Sequence, residues 1–450
     1  MITKLGIGAS YNDSGPLEKV LKEINAKAHE ERTKSGITNH YFKRTREDPR
    51  TSKFNYSLYD IPIVVYTLMN ALASDANHIA IVGDQLTGKI TKHFAKFFET
   101  DYSKFTFVNE GTDWSLENTF RGLKEGLKAK PSESIAQISG DTPVYLDLNE
   151  MLRDPDAKDF DLVFDLNCRE NIYKINFTDN KGPYNRRWHL PIFQNHGWKA
   201  IWVKEPNGGI WKFNDNTFNK INTLFDGRKS YGTQNKKGKL KGRAKLINEF
   251  FLKNGKWWKT LATAPRALAY LGLRKFTPFN VPLFDFNRMS KIASYALEAP
   301  VLIKGKHSEW GRLADIDSAE DLAFFEALMH SAEDPSQIYP YFNEIKRFTE
   351  YLKTQPDMQN EELIQDFHTY MNEWFEQFPL LKGKQLYDDK GTYIGPKLDK
   401  TNVLNDKNNR NILSSKDSPV YAAKDSEKKL QIVMDTQLVS AKAFRMEYMS

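Results

Sequence analysis

The chain has 450 residues, 40% of them apolar and 13% aromatic, so it is long enough for two or three domains and can fill a sizeable core. A single cysteine, Cys168, excludes an internal disulfide framework, and the nine histidines show neither an H-E-x-x-H motif nor zinc-ligand spacing. With no signal-like apolar run at the N-terminus and no stretch approaching 18 apolar residues, we expect a cytoplasmic protein without a membrane span.

The formal net charge of +7 comes from one segment. Residues 228–259 contain eleven Lys and Arg but only one acid, Glu249. Such a segment either meets phosphates, anionic lipid or nucleic acid, or is a solvated lysine-rich loop. We predict no specific nucleic acid partner. Within 228–275, basic residues flank Trp257 and Trp258, which fits peripheral contact with an anionic membrane, a lid over an acceptor site, or a buried helix.

Short β-rich runs alternate with helical patterns over the first 330 residues. Helices are expected at 16–31, at 60–72 with Asp60 as its cap, and at 115–127, and strands are expected at 79–84, 135–141, 161–166 and 199–205. This order predicts an α/β fold with a mostly parallel, Rossmann-like sheet flanked by helices. Ligands of such folds bind at the carboxyl ends of the strands.

The pattern changes along the chain and predicts its domain organisation. Residues 1–330 are expected to form one domain, with a helical, basic insertion at 215–300. A helical appendage follows at 331–383, where apolar residues such as Phe342 and Phe348 recur at helical spacing. Residues 384–450 are polar and expected to be partly disordered.

The stretch IAIVGDQLTGKIT, residues 79–91, fits the phosphate-loop pattern G-x-x-x-x-G-K. The next position should carry the Ser or Thr that holds Mg²⁺, but here it is Ile90. Asp84 also places a carboxylate where a polyphosphate would lie. The match to an ATPase phosphate loop is therefore suspect.

Carboxylates at strand ends are the informative feature. Asp141 follows the strand at 135–140, and Asp315 and Asp317 precede a helical pattern far along the chain. Hard oxygen donors brought together at the mouth of a parallel sheet suit a Mg²⁺ ion that also carries nucleotide phosphates. The alternative is that the acids before the helix are simple caps, since Ser318 and Asp321 resemble a capping box.

Four stretches, in this order, resemble a family: KFNYSLYDIPIVVYTLMNAL at 53–72, the IVGD strand end, SGDTP, and ADIDSAEDL. They look like a nucleotidyltransferase of GT-A fold, closest to the molybdenum-cofactor-guanylyltransferase-like group. The resemblance spans about residues 1–330. It implies a Rossmann-like GT-A domain that uses Mg²⁺, an NTP and a phosphorylated small-molecule acceptor. It also implies that the IVGD strand end has no phosphate-loop function, so Gly88 and Lys89 would be ordinary turn and helix residues.

The resemblance also implies roles for individual residues. Asp141 would bind Mg²⁺ beside the α-phosphate, Asp315 would complete the metal site with Asp317 as substitute, and Lys53 would meet the phosphates. The other implied contacts are with the nucleotide (Gly6, Gly8, Ser115, Asn118 and Gly140) and with the acceptor (Gly208 and Gly209). Ser115 is equally interpretable as a helix cap, and the two acceptor glycines as a plain turn.

The chemistry implied is in-line displacement: an acceptor phosphate, such as that of a sugar or polyol phosphate, attacks the α-phosphorus and pyrophosphate leaves. The first loop, LGIGASYNDSG, departs from the family because its G-G-x-G run is missing. Fewer backbone N–H groups are then available to cradle a triphosphate. Lys43, Arg44 and Arg46 could replace the missing loop arginine, or be surface charge.

Two other hypotheses stay open. A GT-A glycosyltransferase would use Asp315 and Asp317 as a D-x-D metal pair and would act on a nucleotide-sugar rather than a free NTP. A non-catalytic binding protein would keep the fold with a vestigial site; its function would survive Asp141→Ala but not charge reversal at Lys236, Lys237 and Lys239.

Overall fold

A computed structural model describes the following residues of the chain: 1–10, 53–55, 57–98, 104–110, 116–131, 133–143, 145–169, 190–193, 200–204, 208–212, 284–307, 316, 325, 329, 334–337 and 339–359. The expected helix at 16–31, the basic residues of segments 42–50 and 228–275, and the tail at 384–450 lie outside them. None of the helices in the described part has the length and apolar character needed to span a bilayer.

The described chain contains twelve strands. In chain order these are β1 (Lys4–Ala9), β2 (Ser57–Leu58), β3 (Ile61–Pro62), β4 (His78–Gly83), β5 (Phe105–Asn109), β6 (Ser134–Ser139), β7 (Leu162–Arg169), β8 (Leu190–Phe193), β9 (Ala200–Lys204), β10 (Gly208–Lys212), β11 (Phe284–Asp285) and β12 (Val301–His307). Ten of them form one sheet in the order β11-β8-β9-β7-β10-β6-β1-β4-β5, with β12 paired to β7. β2 and β3 form a separate hairpin.

The half of the sheet built from β6, β1, β4 and β5 is entirely parallel. The chain runs from β1 outwards to β4 and β5 and then returns to place β6 on the opposite edge of β1. This reversal makes the crevice between the carboxyl ends of β1 and β6 the topological switch point, where open α/β sheets bind their ligands. The expected α/β fold with a mostly parallel, Rossmann-like sheet is confirmed.

Seven α-helices are described: α1 (Ile63–Leu72), α2 (Gln85–Phe97), α3 (Leu116–Gly126), α4 (Asn149–Leu152), α5 (Phe286–Leu297), α6 (Phe342–Lys353) and α7 (Pro356–Gln359). They cover both faces of the sheet. On one face, α1 and α2 pack on the sheet, where alternate residues of β1 and β4 such as Leu5, Ile7 and Ile81 are buried, and α6 packs on α1 and α2. On the other face, α3 packs on the intervening residues, including Val82, and α5 packs on β12. This alternation follows from the two-residue period of a strand.

The residues that match the phosphate-loop pattern form the end of β4 and the start of α2. Helix α2 begins at Gln85, directly after β4, so Gly88 and Lys89 lie inside a helix, as expected. Asp84 is the N-cap residue and accepts a hydrogen bond from the Thr87 backbone N–H. Gly88 lies against Phe107, because a Cβ there would be 2.5 Å from the ring. The glycine thus serves the packing of α2 on β5.

The expected cap of the helix at 60–72 needs correction. Tyr59 and Asp60 form the two-residue turn between β2 and β3, with φ angles of 53° and 63°. Two successive positive φ values are the geometry of a tight hairpin turn. Asp60 therefore turns the chain, and α1 begins three residues later, after Pro62.

Helix α6 belongs to the main core. The described part of the expected appendage at 331–383 places Phe342, Ile345, Phe348 and Leu352 in the same buried cluster as α1 and α2. The Tyr339 hydroxyl donates to the Tyr66 carbonyl at 2.7 Å and lies 3.0 Å from Asn70 Oδ1. Complete burial raises the pKa of Tyr339 well above its ordinary value.

The last part of the expected insertion at 215–300 also contacts the sheet. Residues 284–297 form β11 and α5, and α5 packs on β12. Ser290 and Ser294 fix this contact, because their hydroxyls hydrogen-bond the main chain of β12 at Ile303 and Val301. The remainder of the insertion, 215–283, lies outside the described residues.

His78, at the start of β4, makes stability depend on pH. Burial lowers its pKa from 6.5, and the charges of Lys4 and Lys128 lower it further. Below pH 6.5 the unfolded chain therefore binds a proton that the folded chain does not, so stability falls as the pH drops towards the folded-state pKa. We expect His78→Gln, which can keep a hydrogen bond to Thr106, to lose less thermal stability than the wild type between about pH 7.5 and about pH 5.5. Equal losses in the two proteins would contradict this.

Candidate functional site

An ion pair between Lys53 and Asp141 lies at the switch point. Asp141 directly follows Gly140 at the end of β6, and its Oδ2 is 2.5 Å from Lys53 Nζ. Both residues are buried, with 3% of Asp141 and 8% of Lys53 exposed. Charged groups are rarely buried to this extent unless they are paired. The structure thus brings together two of the sequence-predicted site residues, 88 positions apart.

A third chain segment meets the pair through Ile316. The Ile316 backbone N–H donates to the Asp141 carbonyl at 3.3 Å, and the Ile316 carbonyl accepts from Lys53 Nζ at 2.7 Å. Asp315 and Asp317 flank Ile316 in the sequence but lie outside the described residues. Their part in a metal site remains a prediction. Ile316, the residue between them, is the part of this segment that the structure places against Asp141 and Lys53.

The second oxygen of Asp141 fits a cation. Within the part of the chain that the structure describes, Oδ1 is buried and accepts no hydrogen bond. The described residues contain no group of three or more potential metal ligands. Mg²⁺ in nucleotide sites is usually held by one or two carboxylates together with substrate phosphates, so a single buried carboxylate oxygen meets that requirement.

Lys53 is positioned by a buried polar network. It begins a short 3₁₀ helix, Lys53–Asn55, whose Asn55 amide donates to both Asp84 carboxylate oxygens at 2.9 Å. The side-chain oxygen of Asn55, Oδ1, accepts from the Thr87 hydroxyl at 3.0 Å. The Lys53 segment is therefore clamped to the N-terminus of α2. Sequence reasoning gave Asp84 no role, although a polar residue between a strand and an apolar-periodic helix is a recognisable N-cap signal.

The predicted nucleotide glycines lie at or near the switch point. Gly6 and Gly8 lie within β1 and not in the loop after it. A Cβ on Gly6 would be 3.0 Å from Leu123, so this glycine lets α3 approach the sheet. Gly140 donates its N–H to the Gly8 carbonyl at 2.9 Å, which continues the pairing of β1 with β6 up to the residue before Asp141, and Phe54 packs beside it. Their contact with a nucleotide remains a prediction.

The predicted acceptor glycines begin β10. Gly208 pairs with Ile138 and Gly209 with Gln137, so both lie beside the carboxyl end of β6. They are strand residues and not a plain turn. Of the two residues predicted to contact the nucleobase or ribose, Asn118 lies in the first turn of α3, and Ser115 lies outside the described residues.

A second polar cleft, of about 530 Å³, lies over β7 and β12. Lys304 lies among three carboxylates there, 2.6 Å from Asp154, 2.7 Å from Asp156 and 3.8 Å from Asp165. Burial lowers the pKa of Lys304, but hydrogen bonds to Asp154 and Asp156 outweigh it and raise this pKa above its ordinary value. This cluster was not predicted; the signal in the sequence was Asp165, a charged residue within the strand expected at 161–166.

Neither a protein-family model nor a curated protein matches the sequence. Among solved structures, a hypothetical transferase from Thermus thermophilus is 13% identical with a TM-score of 0.38, over 72% of this chain and all of the other. HddC from Yersinia pseudotuberculosis is 14% identical with a TM-score of 0.29, over 47% and 77% of the two chains. A Bacillus anthracis protein described as a glucose-1-phosphate thymidylyltransferase, in complex with sucrose, is 12% identical with a TM-score of 0.29, over 48% and 74%. Likenesses of this strength carry no argument, so we base the function on the chain's own geometry.

Proposed function

We propose that the protein is a Mg²⁺-dependent nucleotidyltransferase, which joins the nucleoside monophosphate of an NTP to a phosphorylated small molecule and releases pyrophosphate. The observation that carries this proposal is Asp141. It is a buried carboxylate at the switch point of a parallel sheet, paired with Lys53 through Oδ2 and accepting no hydrogen bond from any described residue at Oδ1.

The position of the site supports nucleotide binding. In open α/β sheets the crevice at the switch point is where nucleotides bind, because the strands end there and the chains diverge. The hydrogen bond from the Gly140 N–H to the Gly8 carbonyl holds the ends of β1 and β6 together directly before Asp141. Lys53 adds a positive charge at the place where phosphates would lie, which is the arrangement that phosphoryl transfer needs for charge stabilisation.

In this proposal Asp141 holds Mg²⁺ through Oδ1, and Asp315, with Asp317 as substitute, completes the protein ligands. The ion would supply Lewis-acid stabilisation of charge on the α-phosphate. Lys53 binds and orients the phosphates, and the Asn55 clamp fixes the backbone from which its side chain extends. An ionised acceptor phosphate is already a nucleophile, so the chain needs to supply no general base.

The finer assignments rest on the sequence motifs. The ordered set from KFNYSLYDIP to ADIDSAEDL supports the molybdenum-cofactor-guanylyltransferase-like group, with Ser115 and Asn118 near the nucleobase and Gly208 and Gly209 near the acceptor. A sugar or polyol phosphate is the proposed acceptor. The basic segment 228–275 is proposed to contact an anionic membrane or a lipid-linked acceptor.

The test is pyrophosphate release from each NTP, with Mg²⁺ and a panel of phosphorylated acceptors. We expect release with at least one pairing, and its loss in Asp141→Asn, which keeps the size of the side chain but removes its charge. The exposed Asp159→Asn is the matched control and should retain activity. No release under any pairing, together with no nucleotide binding by calorimetry, would reject the proposal.

A further inference from the structure

We infer that Lys53 is a tethered cation that competes with the divalent metal for Asp141, so that metal and nucleotide enter the site together. This inference rests on the proposed function. It concerns the order of binding, which neither the motifs nor the fold specify. The observation behind it is that the lysine expected to meet phosphates is instead bound to the carboxylate expected to hold the metal.

The two positive charges cannot share the carboxylate without cost. Lys53 Nζ lies 2.5 Å from Oδ2, and the side chains of Lys53 and Asp141 are only 10% and 4% exposed. A divalent ion at Oδ1 would lie next to the ammonium on the same carboxylate, where little water is present to screen the repulsion. Metal binding without a nucleotide is therefore disfavoured by the resident lysine.

A polyphosphate removes this conflict. The lysine ammonium sits on a flexible four-carbon stem, and it also donates to an uncharged partner, the Ile316 carbonyl. The backbone of residues 53–55 is held independently by Asn55 and Asp84. The ammonium can therefore turn to a phosphate while its backbone stays in place. The phosphates would then bind both cations, and Asp141 would be left to the metal.

The inference predicts positive coupling between metal and phosphate in the wild type. Each should raise the affinity for the other by the same factor, because coupling free energies are reciprocal. Removing the charge of Lys53 should abolish both its competition with the metal and its attraction for phosphate. Metal affinity in the absence of phosphate should rise, while phosphate affinity should fall.

The experiment measures Mn²⁺ binding by electron paramagnetic resonance, with and without inorganic pyrophosphate at fixed free Mn²⁺. We expect Lys53→Met to bind Mn²⁺ alone about tenfold more tightly than the wild type, and to bind pyrophosphate about tenfold more weakly. Mn²⁺ should also raise the thermal unfolding temperature of Lys53→Met more than that of the wild type, since it replaces the lost counter-ion of Asp141. Asp141→Asn is the control and should bind no Mn²⁺ at this site.

The outcomes separate the inference from the proposed function. Suppose that the wild type binds NTP together with Mn²⁺. If Lys53→Met then binds Mn²⁺ alone no more tightly than the wild type does, the inference is overturned but the proposed function is not. A wild type that binds no Mn²⁺ with any NTP or with pyrophosphate would reject both. If Lys53→Met does not fold, the wild type alone tests the inference. Mn²⁺ and pyrophosphate that bind the wild type without changing each other's affinity would show that Lys53 does not compete with the metal.

Discussion

Replacing Asp141 with alanine is expected to lower the free energy of unfolding by about 3–5 kcal/mol, because Lys53 would lose its carboxylate partner while remaining buried. The Lys53 side chain is only 10% exposed in the folded chain. Urea-induced unfolding of the two proteins measures the difference.

The matched control for this prediction removes both charges. Lys53→Met combined with Asp141→Leu replaces the pair by apolar groups of similar volume, and such replacements are often neutral for stability. We expect the double variant to regain most of the stability that Asp141→Ala loses, although it should be inactive. A stability of Asp141→Ala within about 1 kcal/mol of the wild type would show that the pair is not buried as described.

Gly208→Ala is expected to destabilise the protein by about 3 kcal/mol, because the sheet has no room for a side chain at this position. A Cβ on Gly208 would lie 2.2 Å from the carbonyl oxygen of Gln137 in the neighbouring strand. Main-chain atoms cannot move aside as a side chain can. The junction between β6 and β10 would have to open next to Asp141, so nucleotide binding should weaken as well.

Gly8→Ala is the matched control for Gly208→Ala. A Cβ on Gly8 would find its nearest neighbour, a methyl group of Thr119, at 3.5 Å, which is ordinary van der Waals contact. Its stability should stay within about 0.5 kcal/mol of the wild type. Similar losses of stability in the two variants would contradict the steric argument. Thermal unfolding measured on the same day, in one buffer, is sufficient to compare them.

The fold was largely predictable because its signals are local. β4 is a continuous apolar run typical of a parallel strand buried on both faces, and α3 repeats Phe120 and Leu123 on one face. β12 was not predicted, since Lys304 and Gly305 interrupt its apolar run. β12 pairs with β7, which lies more than 130 residues earlier in the chain. A short stretch of sequence contains no information about such a pairing.

The site was predictable only in part. Strand-end position and the family resemblance identified Asp141 and Lys53, but not that they contact each other. The Asn55 clamp was missed because an amide bonded to a carboxylate 29 positions away leaves no periodic pattern. The location of Gly6 and Gly8 inside β1 was also missed, because glycines near a strand end are more typical of loops.

The contact between Tyr339 and Asn70, which are 269 positions apart, has a consequence for biosynthesis. At about 5–20 residues per second, a ribosome needs roughly 15–55 s to proceed from one to the other. For that interval the apolar surfaces of α1 and α2 that α6 finally covers are exposed on the nascent chain. We therefore expect the nascent chain to bind chaperones that recognise apolar segments until translation has passed Leu352.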